Sequence, residues 1–283
     1  MLTTVADLLA AAEEGSYTVG AYNVTESSML RAVVEVAEEC RAPAIIAAAV
    51  NEFEFAEPEF YAYARARLER SPVPLALHLD HGHSFGDCMR AIRAGFTGVM
   101  IDGSLLPYEE NVALTRKVVE AAHEVGVSVE GEIGTIGAKT SEADDGVEGI
   151  HYTDPDDVED FVSRTGVDAL AIAIGTAHGQ YPAGYEPHLK LDLISEIRSR
   201  TRVPLVLHGG SNNPDEEIEQ ACRLGLRKVN ISSDFKVAYY RAVGAYLDAT
   251  GDFYPAKVLP HGMDEVKRVV RRKMELFGCM GRA

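Results

Sequence analysis

The segment LHLDHGHS, residues 77–84, places an acid and two imidazoles where an apolar run ends. Its first half alternates like a buried strand, and Asp80, His81 and His83 then follow closely. Carboxylates act as general acids or bases, and neutral imidazole is a common metal ligand. We therefore expect metal binding and proton transfer at the end of this strand.

Two further histidines stand in the same local context. His178 lies in AHG and His208 in LHG, so each ends an apolar run and precedes a glycine, as His81 does in DHG. Glycine beside a ligand lets backbone or substrate approach closely. A catalytic zinc ion commonly takes three protein ligands and keeps one position open, and these three histidines are the predicted set. Asp80 is the predicted proton donor or acceptor, and its alternative role is to orient a histidine.

His83 has two interpretations. With His81 it could form the H-x-H metal pair of a zinc hydrolase built on a barrel, because alternate residues of a continuing strand face the same side. Gly82, however, indicates that the strand ends there, and better-placed histidines exist elsewhere in the chain. We interpret His83 as a loop residue near the rim of the site.

Two late segments have the composition of a phosphate site. HGGSNNP (208–214) is a glycine-rich loop that leads into a helix with Pro214 in its first turn, and NISSD (230–234) supplies hydroxyls and amides where another helix begins. Helix N-termini and turn amides bind anions without net positive charge. Gly210 and Ser232, one in each segment, are candidate contacts to the phosphate. Ordinary turns and caps are the alternative for either segment alone.

Elements that would position these residues recur along the whole chain. Near-continuous apolar runs, typical of strands buried on both faces, alternate with amphipathic segments such as 29–40, 110–126 and 214–225. The predicted strands are 17–24, 42–50, 74–82, 98–102, 127–134, 169–175, 203–209 and 228–234. Eight strand–helix repeats predict an α/β fold, a (β/α)8 TIM barrel with residues 1–283 as a single domain. The alternative is a doubly wound open sheet, which the missing G-x-G-x-x-G motif disfavours.

The barrel hypothesis explains why the polar residues are far apart in sequence. Catalytic groups of such barrels lie at the carboxyl ends of the strands. The predicted ends carry His81, Asp102, Glu132, His178, His208 and Asn230. Each alone could be a buried core residue, but together they predict one site at one rim.

Composition narrows the class of protein. The net charge is −17, from 27 basic and 44 acidic residues, which argues against nucleic-acid binding. The four cysteines form no C-x-x-C pair, as expected of a reduced cytoplasmic chain. We find no apolar run of about 18 residues and no basic, signal-like start, and we expect no membrane association. The first segment, MLTTVADLLAAAEEG, is instead predicted to form a helix with Thr4 as its N-cap.

The ordered motifs resemble those of a known family. GAYNV, LHLDHG with a following Ser, EGEIG, AIAIGTAHGQY, VPLVLHGGS and KVNISSD occur in the order found in class II, metal-dependent ketose-bisphosphate aldolases. The resemblance spans nearly the whole chain. It implies a zinc-dependent barrel, usually a homodimer or homotetramer, that reversibly cleaves a sugar phosphate into dihydroxyacetone phosphate and an aldehyde.

The resemblance also implies roles for individual residues. His81, His178 and His208 match the ligands of one catalytic Zn2+ per chain, and Asp80 matches the acid–base group acting on the C4 hydroxyl. Asp102 and Glu132 match carboxylates that hold a displaced or second metal ion. A monovalent cation, Na+ or K+, is expected near the phosphate. Contacts to dihydroxyacetone phosphate are matched by Gly179, Gly209, Ser211, Asn230 and Ser233.

The loop after the fifth strand departs from the family pattern. Members usually carry an acidic pair there, and one glutamate moves the proton of the donor substrate. This chain has Lys139 and Thr140 at those places, and Glu142 is the nearest acid. Long loops often act as lids, so we predict that Glu142 takes this role. A solvated acidic loop without a catalytic role is the alternative.

A second departure concerns the far end of the substrate. Fructose and tagatose enzymes have two arginines in a late P-R-x-x-x-R-x-G pattern, where this chain reads PAKVLPHG (255–262). Lys257 and His261 are the nearby basic groups. AAAVNEFEF after the second strand offers acids where bisphosphate enzymes offer small hydroxyl residues. We therefore expect a ketose 1-phosphate, or a substrate with a different tail, rather than fructose 1,6-bisphosphate.

Two other classes of protein are compatible with parts of this pattern. A non-catalytic partner subunit of an aldolase assembly would be expected to lose metal ligands or the acid, and this chain keeps Asp80 and the three histidines. A zinc hydrolase would depend on His83, whereas an aldolase would not.

Overall fold

The chain folds as a closed barrel of parallel strands, in the order in which they occur along the sequence. The computed structural model describes residues 1–136, 150–177, 181 and 187–283. The strands are β1 (Val19–Asn23), β2 (Ala44–Ala49), β3 (Leu75–Gly82), β4 (Gly98–Ile101), β5 (Ser128–Ile133), β6 (Ala169–Ile172), β7 (Leu205–Leu207) and β8 (Leu226–Ile231). β1 pairs with both β2 and β8, which closes the sheet. The predicted (β/α)8 barrel is confirmed, and the open-sheet alternative is wrong.

Helices pack around the outside of this barrel. They are α1 (Val5–Gly15), α2 (Ser27–Cys40), α3 (Val50–Glu69), α4 (Phe85–Arg93), α5 (Tyr108–His123), α6 (Pro155–Thr165), α7 (Leu191–Arg200), α8 (Asp215–Leu224), α9 (Ser233–Thr250) and α10 (Pro255–Leu276). Thr4 caps α1 as predicted, because its hydroxyl accepts from the Asp7 N–H at 3.0 Å. Among the described helices, none has the combination of length and apolar composition that crossing a membrane requires.

Burial on both faces explains the apolar character of the strands. Burial extends along the whole length of β1, β5 and β8, and along β3 except at His81. These strands have helices on one side and the barrel interior on the other. The interior also contains polar groups, since His78, Glu130 and Lys228 are buried there. These groups lie beneath the rim that carries the predicted site, and Glu130 contacts both His208 of that site and Lys228.

Several strand boundaries differ from the sequence-based expectation. β6 and β7 end at Ile172 and Leu207, before the predicted 175 and 209, and β8 covers 226–231 rather than 228–234. The chain turns after β8 because α9 begins at Ser233, and the Ser211 hydroxyl accepts from the Ser232 and Asp234 N–H groups. Pro214 precedes the first residue of α8 instead of lying in its first turn.

Candidate active site

The end of β3 adopts an unusual backbone that presents adjacent residues to one cavity. His81 has φ of 49°, in the left-handed region that non-glycine residues rarely adopt, and the pairing of β3 with β4 is irregular between Leu79 and Gly82. Such backbone costs on the order of 1–3 kcal/mol and persists where the surrounding structure imposes it. A Cβ atom at Gly82 would lie 2.6 Å from the Met100 carbonyl oxygen, so no larger residue fits there.

Asp80, His81 and His208 form one group of potential metal ligands. Their ligand atoms all lie within 4.8 Å of one another, and the two imidazole rings have centroids 4.4 Å apart. Asp80 Oδ1 is 3.9 Å from His81 Nε2 and 3.4 Å from His208 Nδ1. Two imidazole nitrogens and a carboxylate form a donor set suited to zinc. The predicted third histidine, His178, and the adjacent Gly179 lie outside the described residues.

His81, Asp102 and Glu132 form a second group that shares the first imidazole. His81 Nδ1 is 2.8 Å from Asp102 Oδ2 and 3.9 Å from Glu132 Oε2. Glu132 Oε2 is buried and makes no hydrogen bond within the described part of the chain. Burial and the neighbouring Asp102 raise the pKa of Glu132 well above its usual value. A buried carboxylate oxygen of this kind fits a cation, which would stabilise its charged form.

The electrostatics of His81 also fit a cation site. Burial would lower the pKa of this imidazole, but Asp80 and the hydrogen bond with Asp102 raise it to about 9. The surrounding carboxylates therefore favour positive charge at this point. A metal ion bound to the imidazole would replace that proton and satisfy the same carboxylates.

Asp80 is held as an ionised carboxylate by donors on neighbouring strands. Its two oxygens accept from Asn23 Nδ2 at 2.9 Å and from Asn230 Nδ2 at 2.8 Å. Burial would raise the pKa of Asp80, but the adjacent imidazoles, the Lys228 ammonium and the Asn23 amide hold it well below its usual value. Asp80 is therefore ionised, which is the form that a general base requires. Asn23 was not assigned to the site from the sequence. The signal that could have identified it is its position, because it is the last residue of the otherwise apolar β1.

The orientation of His208 is set from inside the barrel. Its Nε2 lies 2.7 Å from Glu130 Oε1, and the Lys228 ammonium lies 2.9 Å from Glu130 Oε2. A carboxylate paired with an ammonium accepts a hydrogen bond, so His208 carries its proton on Nε2. Its Nδ1 accepts from Asn230 Nδ2 at 3.1 Å, and a metal ion bound at Nδ1 would replace this hydrogen bond. Sequence reasoning missed Glu130 and Lys228, because a charged residue within a strand does not reveal its partner.

The predicted phosphate segments lie side by side. Gly209 has φ of 64°, and a Cβ atom there would lie 2.9 Å from the Ala177 carbonyl oxygen. The Ser211 hydroxyl accepts from Ser232 N–H at 3.1 Å and thereby joins the loop after β7 to the start of α9. The Gly210 N–H donates to the Asn230 carbonyl at 3.0 Å, so this amide is engaged with the backbone.

These groups surround a cavity of about 610 Å³. Its lining includes Asp80, His81, Asp102, Glu132, His208, Gly209, Ser211, Asn230, Ser232 and Ser233, all predicted from the sequence. Glu142 lies outside the described residues. His83 also lines the cavity, but its side chain is exposed, and neither potential ligand group found among the described residues includes it. The cavity is thus lined by two groups of potential metal ligands, by the ionised Asp80 carboxylate and by both segments that were predicted to contact a phosphate.

Comparison with known proteins gives consistent results. The family profile described as "Fructose-bisphosphate aldolase class-II" matches residues 3–282. A fructose-bisphosphate aldolase of Staphylococcus aureus (strain N315) is 40% identical over 289 residues, covering 100% of this chain and 99% of that protein. One from Geobacillus stearothermophilus is 40% identical over 288 residues, with coverage of 100% and 99%. The crystal structure of the YdjI aldolase from Escherichia coli K12 superposes with a TM-score of 0.87 at 32% identity, covering 100% of each chain.

Proposed function

Because the chain belongs to the class II fructose-bisphosphate aldolase family, we propose that this cavity reversibly cleaves a sugar phosphate into dihydroxyacetone phosphate and an aldehyde. The protein is an enzyme of the aldehyde-lyase class. The observation that carries the assignment of roles is the position of Asp80. It is an ionised carboxylate that lies 3.4 Å and 3.9 Å from two imidazoles suited to metal binding.

The proposed metal is one Zn2+ per chain, held by His81, His208 and His178. The family depends on a divalent metal, and the described residues provide two groups that could hold one. When bound, the ion acts as a Lewis acid towards the negative charge that develops on the ketone half of the substrate. The carboxylates of Asp102 and Glu132 offer a second position for a displaced ion. Glu130 keeps the His208 imidazole in the tautomer that ligation requires.

Proton transfer is assigned to two acids. Asp80 removes the proton of the C4 hydroxyl during cleavage and returns it during condensation, while the Asn23 and Asn230 amides hold its oxygens in place. The second acid acts on the C3 carbon of dihydroxyacetone phosphate, and we assign that role to Glu142.

The phosphate of the donor half is assigned to the rim formed by the ends of β7 and β8. Proposed contacts are Gly179, Gly209, Gly210, Ser211, Asn230, Ser232 and Ser233, together with a monovalent cation, Na+ or K+. The hydrogen bonds from the Ser232 and Asp234 N–H groups to the Ser211 hydroxyl support a rim in which the two loops are fixed side by side. We further propose that residues 1–283 act as one barrel unit within a cytoplasmic homodimer or homotetramer.

Proton exchange provides a test that does not require the aldehyde. The purified protein is incubated with dihydroxyacetone phosphate in D2O, and loss of the C3 proton signal is followed by NMR with zinc and with a chelator. We expect zinc-dependent exchange that Glu142→Gln abolishes. Asp80→Asn should keep exchange but lower cleavage by roughly 10²–10⁴-fold, because Asp80 acts on the other half of the bond. Absence of exchange in zinc-loaded protein would favour a non-catalytic partner subunit.

A further inference from the structure

The start of α3 forms one wall of the cavity and carries an acid that we did not assign to catalysis. Asn51 and Glu52 line the cavity on the side of β1 and β2. One carboxylate oxygen of Glu52 accepts from the Ala49 N–H at 2.9 Å and from Asn23 Nδ2 at 3.0 Å. Its other oxygen is in direct contact with the Lys236 ammonium. Glu52 is therefore held in one position by three donors.

Asn23 connects this acid to the proposed base. The same Nδ2 group donates to Glu52 and, at 2.9 Å, to Asp80 Oδ2. Asp80 acts on the C4 hydroxyl, which belongs to the aldehyde half of the substrate. The donor phosphate is assigned to the ends of β7 and β8, whereas Glu52 follows β2 and is linked to Asp80 through Asn23. We therefore place the aldehyde half beside Asp80, next to the wall that carries Glu52.

The charge of the cavity is unfavourable for a second phosphate. Among the described residues that line it, the charged side chains other than histidines are the carboxylates of Glu52, Asp80, Asp102 and Glu132, with no lysine or arginine. Lys236 is the ammonium nearest to Glu52, and that carboxylate neutralises it. The basic groups predicted near the C-terminus are engaged elsewhere, since Lys257 pairs with Asp252 at 2.8 Å and His261 stacks on Tyr246.

We propose that Glu52 determines substrate specificity by excluding a terminal phosphate from the aldehyde half and selecting a neutral polyhydroxylated tail. This inference rests on the proposed aldolase function. The Glu52–Lys236 pair offers a phosphate dianion no net positive charge, because the carboxylate neutralises the ammonium that would otherwise attract it. A sugar hydroxyl, in contrast, donates a charge-assisted hydrogen bond to the same carboxylate. The relatives named fructose-bisphosphate aldolase would then differ from this chain in the tail that they accept.

Two uncleavable ligands that differ only in the terminal phosphate test the proposal. Glucitol 1-phosphate and glucitol 1,6-bisphosphate are titrated calorimetrically into the zinc-loaded protein. We expect the wild type to bind the monophosphate at least tenfold more tightly. In Glu52→Gln the side-chain oxygen can still accept from Asn23 and Ala49. The neutral amide no longer pairs with the Lys236 ammonium, which can then attract a phosphate. The ratio of the two Kd values should then shift by at least tenfold in favour of the bisphosphate.

Matched variants separate this effect from a general change of charge. Glu54→Gln alters net charge equally, but Glu54 is exposed and pairs with Arg90 at 3.2 Å, so the ratio should stay at the wild-type value. Glu52→Gln/Lys236→Met should lose most of the gain. Preference of the wild type for the bisphosphate, or equal ratios in Glu52→Gln and Glu54→Gln, would overturn the inference. Failure of the proposed function is distinct, because it appears as absent proton exchange with dihydroxyacetone phosphate.

Discussion

Lys228 illustrates how one buried charge supports the site without touching the substrate cavity. Its ammonium is fully buried inside the barrel and lies 2.9 Å from Glu130 Oε2. The same carboxylate orients His208 and lies 3.5 Å from His78 Nε2. Burial lowers the pKa of His78 to about 3, so this imidazole is neutral and Lys228 is the cation that balances Glu130. Removing one partner of such a buried pair strongly lowers the free energy of unfolding, because the remaining charge is buried without a partner and without water around it.

Removal of that ammonium should therefore destabilise the metal-free protein. We expect Lys228→Met to lower the free energy of unfolding by about 3–5 kcal/mol, measured by urea denaturation. Lys228→Met/Glu130→Gln should recover part of the loss, since it removes the unpaired charge. The control is Lys267→Met, which breaks a partly exposed pair with Glu35 at 2.6 Å and should cost at most about 1 kcal/mol. Equal costs for the two single variants would contradict this account of the barrel interior.

At the scale of elements, adjacent helices of the outer layer are joined by specific ion pairs. Arg67 of α3 donates to both oxygens of Glu38 of α2, at 2.8 Å and 2.9 Å. This fork links α2, which follows the strand that carries Asn23, to α3, whose first turn carries Glu52. The hydrogen bonds from Arg67 hold the pKa of Glu38 below its ordinary value of 4.5.

The lowered pKa predicts how this pair contributes at different pH. The unfolded chain binds a proton at Glu38 more readily than the folded one, so the contribution is complete above pH 4.5 and is lost as pH falls. Glu38→Gln should cost up to about 1 kcal/mol at pH 7, and the cost should be smaller at an acidic pH below 4.5. Urea denaturation of both proteins at the two pH values measures the difference. A cost that is constant or larger in acid would exclude the ion pair as its origin.

At the scale of the whole molecule, a bound metal would join strands that are distant in sequence. His81 lies at the end of β3 and His208 follows β7, yet their rings lie 4.4 Å apart in the closed barrel. An ion that binds both imidazoles binds only the folded state, and it therefore stabilises the barrel by mass action. The hydrolase interpretation would instead make His83 essential for binding.

Thermal unfolding with and without zinc distinguishes these interpretations. Zinc at 100 times its Kd adds about 2.7 kcal/mol, which corresponds to a rise in Tm of roughly 5 °C for a chain of this size. We expect His208→Ala to abolish this rise and His83→Ala to keep it. Scanning calorimetry with zinc and with a chelator measures both. A rise that survives in His208→Ala but disappears in His83→Ala would support a site built on His81 and His83.

The sequence by itself determined the class of fold and most of the polar rim. Strand periodicity and burial are local properties, and residues that end parallel strands must meet at one edge of a closed barrel. For this reason six residues of the rim were predictable, namely Asp80, His81, Asp102, Glu132, His208 and Asn230. The exact ends of the strands were not, because they depend on hydrogen bonds such as those that Ser211 makes to the start of α9.

Only the tertiary structure decided which charges are paired. Lys228 and Glu130 are 98 residues apart in the chain, and Lys236 and Glu52 are 184 apart. No local pattern specifies such partners, because they meet only when the strands close in one register and the helices pack in one orientation. From the sequence alone Glu52 is one of several acids after β2, but in the folded protein it lines the cavity and pairs with the Lys236 ammonium.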